Sequence, residues 1–270
     1  MLRVLFAAAA AIAILNSAAV AADPGWSGFY VGANAGYGWS NAAISEVPGD
    51  QNTATFFLGQ PNVASSSTSF RGGGWLGGVQ AGYNWLPGQN WLAGVEADIN
   101  GSNIAGNGST PTTVVFGQNT ATLQTNQNIQ WFGTVRARVG YLVTADIMFF
   151  ATGGLAYGKV SENASIVLPP GASNSQGNFG SGYACGGFYG DSTCFAGSTS
   201  RVSTGWTAGA GTEFRINQHA SVKLEYLYVN LGTGSFPLLA AHPGAMNPSV
   251  LNASGDASFN LVRAGLNFRF

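Results

Sequence analysis

The sequence predicts an all-β protein: an eight-stranded antiparallel transmembrane β-barrel of meander topology, with short periplasmic turns and four long outer loops. Three observations predict it. Eight segments alternate apolar and polar residues with a period of two. The connections between them alternate short and long. The charges within the segments all fall on one parity.

The first segment, Gly28 to Ser40, reads GFYVGANAGYGWS and places Phe29, Val31, Ala33, Ala35, Tyr37 and Trp39 on one face. The second, from about Gly72 to Asn84, aligns Trp75, Val79, Ala81 and Tyr83. The third, WLAGVEADIN, sets Trp91, Ala93, Val95, Ala97 and Ile99 against Glu96 and Asp98. The fourth, QWFGTVRARVGY, sets Trp131, Val135, Ala137, Val139 and Tyr141 against Arg136 and Arg138. The fifth, Asp146 to Gly158, aligns Ile147, Phe149, Ala151, Leu155 and Tyr157, although Met148 and Phe150 blur its other face. The sixth, Val202 to Ile216, sets Trp206, Ala208, Ala210 and Phe214 against Glu213 and Arg215. The seventh, Ser221 to Val229, sets Val222, Leu224, Tyr226 and Tyr228 against Lys223 and Glu225. The last, NLVRAGLNFRF, sets Val262, Ala264, Leu266, Phe268 and Phe270 against Arg263 and Arg269. No polar i, i+4 face survives in these stretches, so helices do not fit them.

Short connections fall at Trp85 to Asn90, Leu142 to Ala145 and Asn217 to Ala220. Leu86-Pro87-Gly88 in the first is a turn sequence. The other connections are long: Asn41 to Arg71, Gly101 to Ile129, Lys159 to Arg201 and Asn230 to Ala257. Four such loops would count against an ordinary compact domain, but a membrane barrel has short turns at one end and long loops at the other.

The two faces then acquire assignments. Apolar residues face lipid, with Trp39, Trp75, Trp91, Trp131, Tyr141, Trp206 and Tyr226 near strand ends as interfacial aromatics. The ordinary preference of sheets for aromatic residues is the plainer explanation of the same pattern. The other parity holds Glu96, Asp98, Arg136, Arg138, Glu213, Arg215, Lys223, Glu225, Arg263 and Arg269. A barrel of eight strands has an interior that side chains can fill, and charges there require partners. These ten residues are therefore expected to form a lumenal ion-pair network. Glycines of the same parity, among them Gly36, Gly94, Gly154 and Gly211, would leave room for the long side chains. Such a network resembles a plug more than a pore. Its excess of two positive charges would still suit a narrow anion-tolerant channel.

Residues 1–22 have one early arginine, an apolar stretch from Val4 to Leu15 and small residues before Asp23. They read as a signal peptide cleaved after Ala22 or Ala21, followed by a single barrel domain over 23–270. Only 21 residues are charged and the net charge is −1, with no basic patch for nucleic acid. The 40 glycines lack the three-residue period of collagen. After secretion, Cys185 and Cys194 are expected to form a disulfide around a short loop, with two free thiols as the alternative. His219 and His242 lie in connections on opposite sides of the barrel, so neither a metal site nor a histidine-based active site is expected. No G-x-S-x-G, H-E-x-x-H or phosphate loop occurs. No cofactor and no enzymatic activity are expected.

Three stretches resemble the small outer-membrane β-barrel proteins of alphaproteobacteria, the porin-like major surface antigens of brucellae, rhizobia and bartonellae. They are WSGFYVGANAGYGWS (Trp26 to Ser40), WFGTVRARVGYL (Trp131 to Leu142) and the ending NLVRAGLNFRF. The resemblance implies a Gram-negative outer-membrane location, termini in the periplasm and a role in stabilising the envelope. It also implies that Phe268 and Phe270 belong to a terminal signal read by the barrel assembly machinery. Lipid, lipopolysaccharide and peptidoglycan-associated envelope proteins are the further expected partners. Some relatives bind haem at the surface, yet no motif for that can be placed here. The expected function is a structural envelope barrel. The alternatives are a narrow channel for small polar solutes and surface adhesion or haem binding through the outer loops.

Overall fold

A computed structural model describes residues 25–48, 66–116, 119–168, 183–184, 193–243 and 250–270. The expected signal segment and Cys185 lie outside the described residues. Eight long strands are β1 (Gly28–Pro48), β2 (Ser66–Trp85), β3 (Trp91–Phe116), β4 (Asn119–Leu142), β5 (Ile147–Val167), β6 (Thr193–Arg215), β7 (Ala220–Ala240) and β8 (Val250–Arg269). Each pairs antiparallel with its neighbours in sequence, and β1 pairs with β8, so the sheet closes into a ring. Two short segments, Tyr183–Ala184 and His242–Pro243, pair outside the barrel.

Closure rests on a continuous register from Tyr30↔Arg269 to Trp39↔Asn260. Phe270 adds one further bond, donating its backbone N–H to the carbonyl of Phe29 at 3.1 Å. Side chains of one parity point inward and those of the other outward, as the pleat requires. The outward wall bears two rings of aromatics. Phe29, Tyr83, Trp91, Tyr141, Phe149, Phe214 and Phe268 lie toward the short turns. Tyr37, Trp39, Trp75, Trp131, Tyr157, Trp206 and Tyr226 form the second ring, with edge contacts such as Tyr37–Trp75 at 5.4 Å. On the strands that carry both rings they stand about eight to ten residues apart, which at ~3.3 Å per residue and a ~45° tilt gives a band roughly 19–23 Å tall, near the height of an outer-membrane barrel's apolar band.

The strands run far beyond that band. A barrel strand crosses the membrane in about 9–11 residues, whereas β3 has 26 and β4 has 24. Much of each long connection expected from sequence is therefore strand: 41–48, 66–71, 101–116, 119–129, 159–167, 193–201, 230–240 and 250–257. In this outer extension the chemistry of the faces reverses, and in β4 and β7 the inward parity also shifts by one residue, from Phe132 and Arg136 to Ile129 and Leu123 and from Lys223 and Leu231 to Phe236 and Leu238. Ile44, Phe70, Leu123, Ile166, Phe195, Phe236, Leu238 and Leu251 are buried together inside. Asn41, Ser67, Ser69, Asn107, Asn163, Ser198 and Asn252 lie outside, most of them fully exposed. Water replaces lipid around this part, so hydrophobic burial now favours apolar residues within.

The ladder between β6 and β7 is interrupted between Ala196 and Trp206. The facing residues explain the break. Pro237 has no amide proton to donate, and Gly232 takes a positive φ of 78°.

The turns at the other end are pinned by side chains. Asn217 Oδ1 accepts the amides of His219 at 2.9 Å and Ala220 at 2.8 Å. Thr144 Oγ1 does the same for Asp146 and Ile147. Both are local caps that let four residues reverse the chain.

Candidate functional site

The lumen is filled in layers. At the short-turn mouth Trp26 folds inward onto Leu92, Leu142, Met148 and Phe150. Its indole N–H donates to the carbonyl of Ala145 at 2.9 Å. The Arg269 guanidinium lies 5.0 Å from the Trp26 ring, a cation–π contact that seals this end.

Above Trp26 lies the charged layer. Arg136 donates from Nη1 to Glu225 at 2.6 Å and from Nη2 to Asp98 at 3.0 Å and to Glu96. Lys223 Nζ donates to both oxygens of Glu96, at 2.8 and 2.9 Å. Arg263 joins Glu225 and Asp98, each at 2.9 Å. Arg138 pairs with Glu213 and stacks 4.0 Å from the centre of the Phe150 ring. Arg269 approaches Glu213 at 3.4 Å and also donates to the Gly25 carbonyl at 2.7 Å. All the side chains of this cluster are essentially removed from solvent.

Nine of the ten residues expected in the lumenal network are thus brought together. Arg215 is the exception. It stands past the last lumenal rung, where it bonds Asp146 on a neighbouring turn at 2.8 Å. Asp146 is largely exposed, so this pair belongs to the wet rim. Within this network four carboxylates face five cations, an excess of one rather than two.

Uncharged groups complete the network. Tyr30 donates to Glu96 at 2.6 Å. Thr134 and Asn100 hold Asp98 at 2.7 and 2.8 Å. Ser221 and Asn267 hold Glu213 at 2.5 and 3.1 Å. Gln80 links Asn267 to Asn34. All sit on the lumenal parity, the signal that could have found them. At two of the glycines expected to leave room for long side chains, what a side chain would meet is the backbone of the neighbouring strand. A Cβ at Gly36 would collide with the backbone of Val262 and Arg263, and one at Gly154 with that of Val135 and Arg136.

A second apolar layer caps the charges. Phe132 and Phe259 meet edge to face across the lumen at 5.0 Å, packed with Leu76, Ile104, Ile129, Leu227 and Leu261. Beyond it Glu162 pairs with Arg201 and accepts from Gln127 at 2.8 Å. Sequence patterning missed this pair because it lies in the strand extensions. The apolar core of the extension closes the outer end.

The expected interfacial aromatics point outward. Trp75 is 70% exposed and Trp206 51%, and Trp91–Tyr141 and Trp39–Tyr226 are in ring contact. Trp131 is partly covered by Tyr157, its neighbour at 6.1 Å. Phe268 and Phe270 also project outward, against each other at 5.4 Å. Cys194 is in a disulfide, and its expected partner Cys185 lies outside the described residues. His219 stacks on Phe268 at the rim; the side chain of His242 lies outside the described residues.

A closed eight-strand ring with an apolar wall and a charged interior is the architecture of an outer-membrane barrel, and a family model agrees. The model of the outer membrane protein beta-barrel domain matches residues 7–270. The chain belongs to this family. It is 33% identical over 247 residues to the 31 kDa outer-membrane immunogenic protein of Brucella melitensis, covering 91% of this chain and 84% of that one. It is 27% identical over 169 residues to the 22 kDa outer membrane protein of Rhizobium leguminosarum, covering 61% and 56%. Among solved structures it resembles the outer membrane protein OprG of Pseudomonas aeruginosa, at 12% identity and a TM-score of 0.42, over 90% of this chain and 96% of that one. This barrel thus resides in the outer membrane of a Gram-negative bacterium, with its short turns in the periplasm and its strand extension outside the cell.

Proposed function

We propose that this barrel is a structural component of the envelope, and neither a solute channel nor an enzyme. One observation carries the reading: the lumen is occupied by stacked side-chain layers, with the Phe132–Phe259 pair above the charges and Trp26 below them. A solute crossing it would have to displace both apolar layers and break a desolvated ion-pair cluster. Breaking such a cluster costs about 3–5 kcal/mol per lost partner. The polar exterior of the extension supports surface exposure as well, and the description of the Brucella relatives as immunogenic fits that exposure.

Planar-bilayer recording tests the reading. Purified protein, refolded and showing heat-modifiable migration, is expected to give no stable single-channel steps. Replacing Phe132 and Phe259 together with alanine is expected to admit small conductances. Stable steps from the wild-type chain that change with Arg136→Ala would overturn it.

A further inference from the structure

Between the two aromatic rings no outward-facing side chain among the described residues is charged. Two cations stand on the outward face at the level of the outer ring. Lys159 pairs in the ladder with Trp131 and Val202. Arg71 pairs with Asn41, two rungs beyond Trp39↔Gly73. Neither forms an ion pair with another described residue.

The surroundings of Arg71 are the more developed. Asn41 on β1 lies on one side of it, and the rung Gly72↔Gly106 brings Asn107 of β3 alongside on the other. All three side chains are exposed. Just beneath them lie Trp39, Trp75 and Tyr37. The Tyr37 hydroxyl occupies the space that a Cβ at Gly73 would need, so the glycine lets a phenol reach this level. Among the described residues Asp256 on β8 is the carboxylate that faces outward nearby, and it accepts the hydroxyl of Thr233 at 2.5 Å.

An unpaired guanidinium flanked by two amides, above an aromatic shelf at the outer membrane interface, matches one kind of molecule. The ligand needs an anionic group for the arginine, hydroxyls for the amides, a sugar face for the indoles and acyl chains along the wall below. We propose that Arg71, Asn41 and Asn107, with Tyr37, Trp39 and Trp75, form a binding site for the phosphorylated sugar headgroup of lipopolysaccharide. Arginine suits phosphate because its planar fork donates two parallel hydrogen bonds. A cation near a charged membrane surface adds to the attraction. The site rests on the outer-membrane placement of the barrel and not on whether the lumen conducts.

Native mass spectrometry of the folded protein in detergent tests the site, with bisphosphorylated lipid A, dephosphorylated lipid A and phosphatidylglycerol as probes. Heat-modifiable migration confirms that each variant is folded. The wild-type chain is expected to retain bisphosphorylated lipid A, and Arg71→Gln to bind it about tenfold more weakly, the loss of one charged hydrogen-bonding group. Asn41→Ala with Asn107→Ala is expected to weaken binding less, and dephosphorylated lipid A to bind the wild-type chain as weakly as R71Q binds the phosphorylated form. Equal binding by R71Q and wild type would overturn the proposal. Equal retention of phosphatidylglycerol, lost in the same variant, would also overturn it, by reducing the site to a general anion contact. Either failure, with silent bilayers, would leave the structural reading of the barrel standing.

Discussion

Lys223 shows what a single charge does in this interior. Its ammonium is wholly buried and bonded to both oxygens of Glu96, with Glu225 at 3.5 Å. Removing it leaves the buried Glu96 carboxylate short of one cationic partner, with Arg136 and Tyr30 still on it, which is worse than never having placed the pair there. Lys223→Met is expected to destabilise the barrel by about 3–5 kcal/mol, read as a lower urea midpoint for loss of heat-modifiable migration. Adding Glu96→Gln should recover part of that loss, because the under-compensated carboxylate is gone and Arg136 keeps Asp98 and Glu225 as partners. The charged members of this site were legible in the sequence because parity alone separates them from the wall. Arg215 shares that parity but stands one step past the lumen, and parity carries no information about height. Tyr30, Asn267 and Ser221 share the lumenal parity, but parity alone does not single them out, because uncharged polar residues occur on both faces of the strands.

At the scale of elements, the short turns and the membrane-spanning halves of the strands follow from the sequence, and the outer halves do not. Phe29 to Trp39 alternates sharply because lipid lies on one side and a charged lumen on the other. From Asn41 to Ser45 the contrast fades and reverses: Ala42 and Ile44 point in, Asn41 and Ser45 out. A reading that expects apolar residues outward takes this stretch for loop. The turns are more self-contained. Asn217→Ala removes two local hydrogen bonds to turn amides and is expected to cost about 1–2 kcal/mol, measured by urea unfolding, with the barrel still closing.

At the scale of the whole molecule, the reversal of the faces divides one continuous barrel between two solvents. Single cysteines make the division measurable. Ser69→Cys and Ser198→Cys, both outward in the extension, are expected to react with a membrane-impermeant maleimide on intact cells. Val95→Cys and Leu155→Cys, outward between the aromatic rings, are expected to stay unlabelled until the membrane is dissolved. Equal labelling of both sets would remove the distinction between a lipid-facing band and a water-facing extension.

The ion pairs of the lumen join staves distant in the chain: Arg263 of β8 reaches Asp98 of β3, and Arg136 of β4 reaches Glu225 of β7. The β3–β4 hairpin is neutral by itself, with Glu96 and Asp98 facing Arg136 and Arg138, but Arg263 and Arg269 of β8 find their carboxylates only on other strands. A sheet that entered the bilayer before its first and last edges met would separate the pairs that cross the lumen, Lys223–Glu96 and Arg138–Glu213 among them, and carry those charges toward hydrocarbon, each costing several kcal/mol. The same residues that lock the completed cylinder thus penalise every incomplete one, and entry into the membrane is thermodynamically tied to the meeting of the two edges.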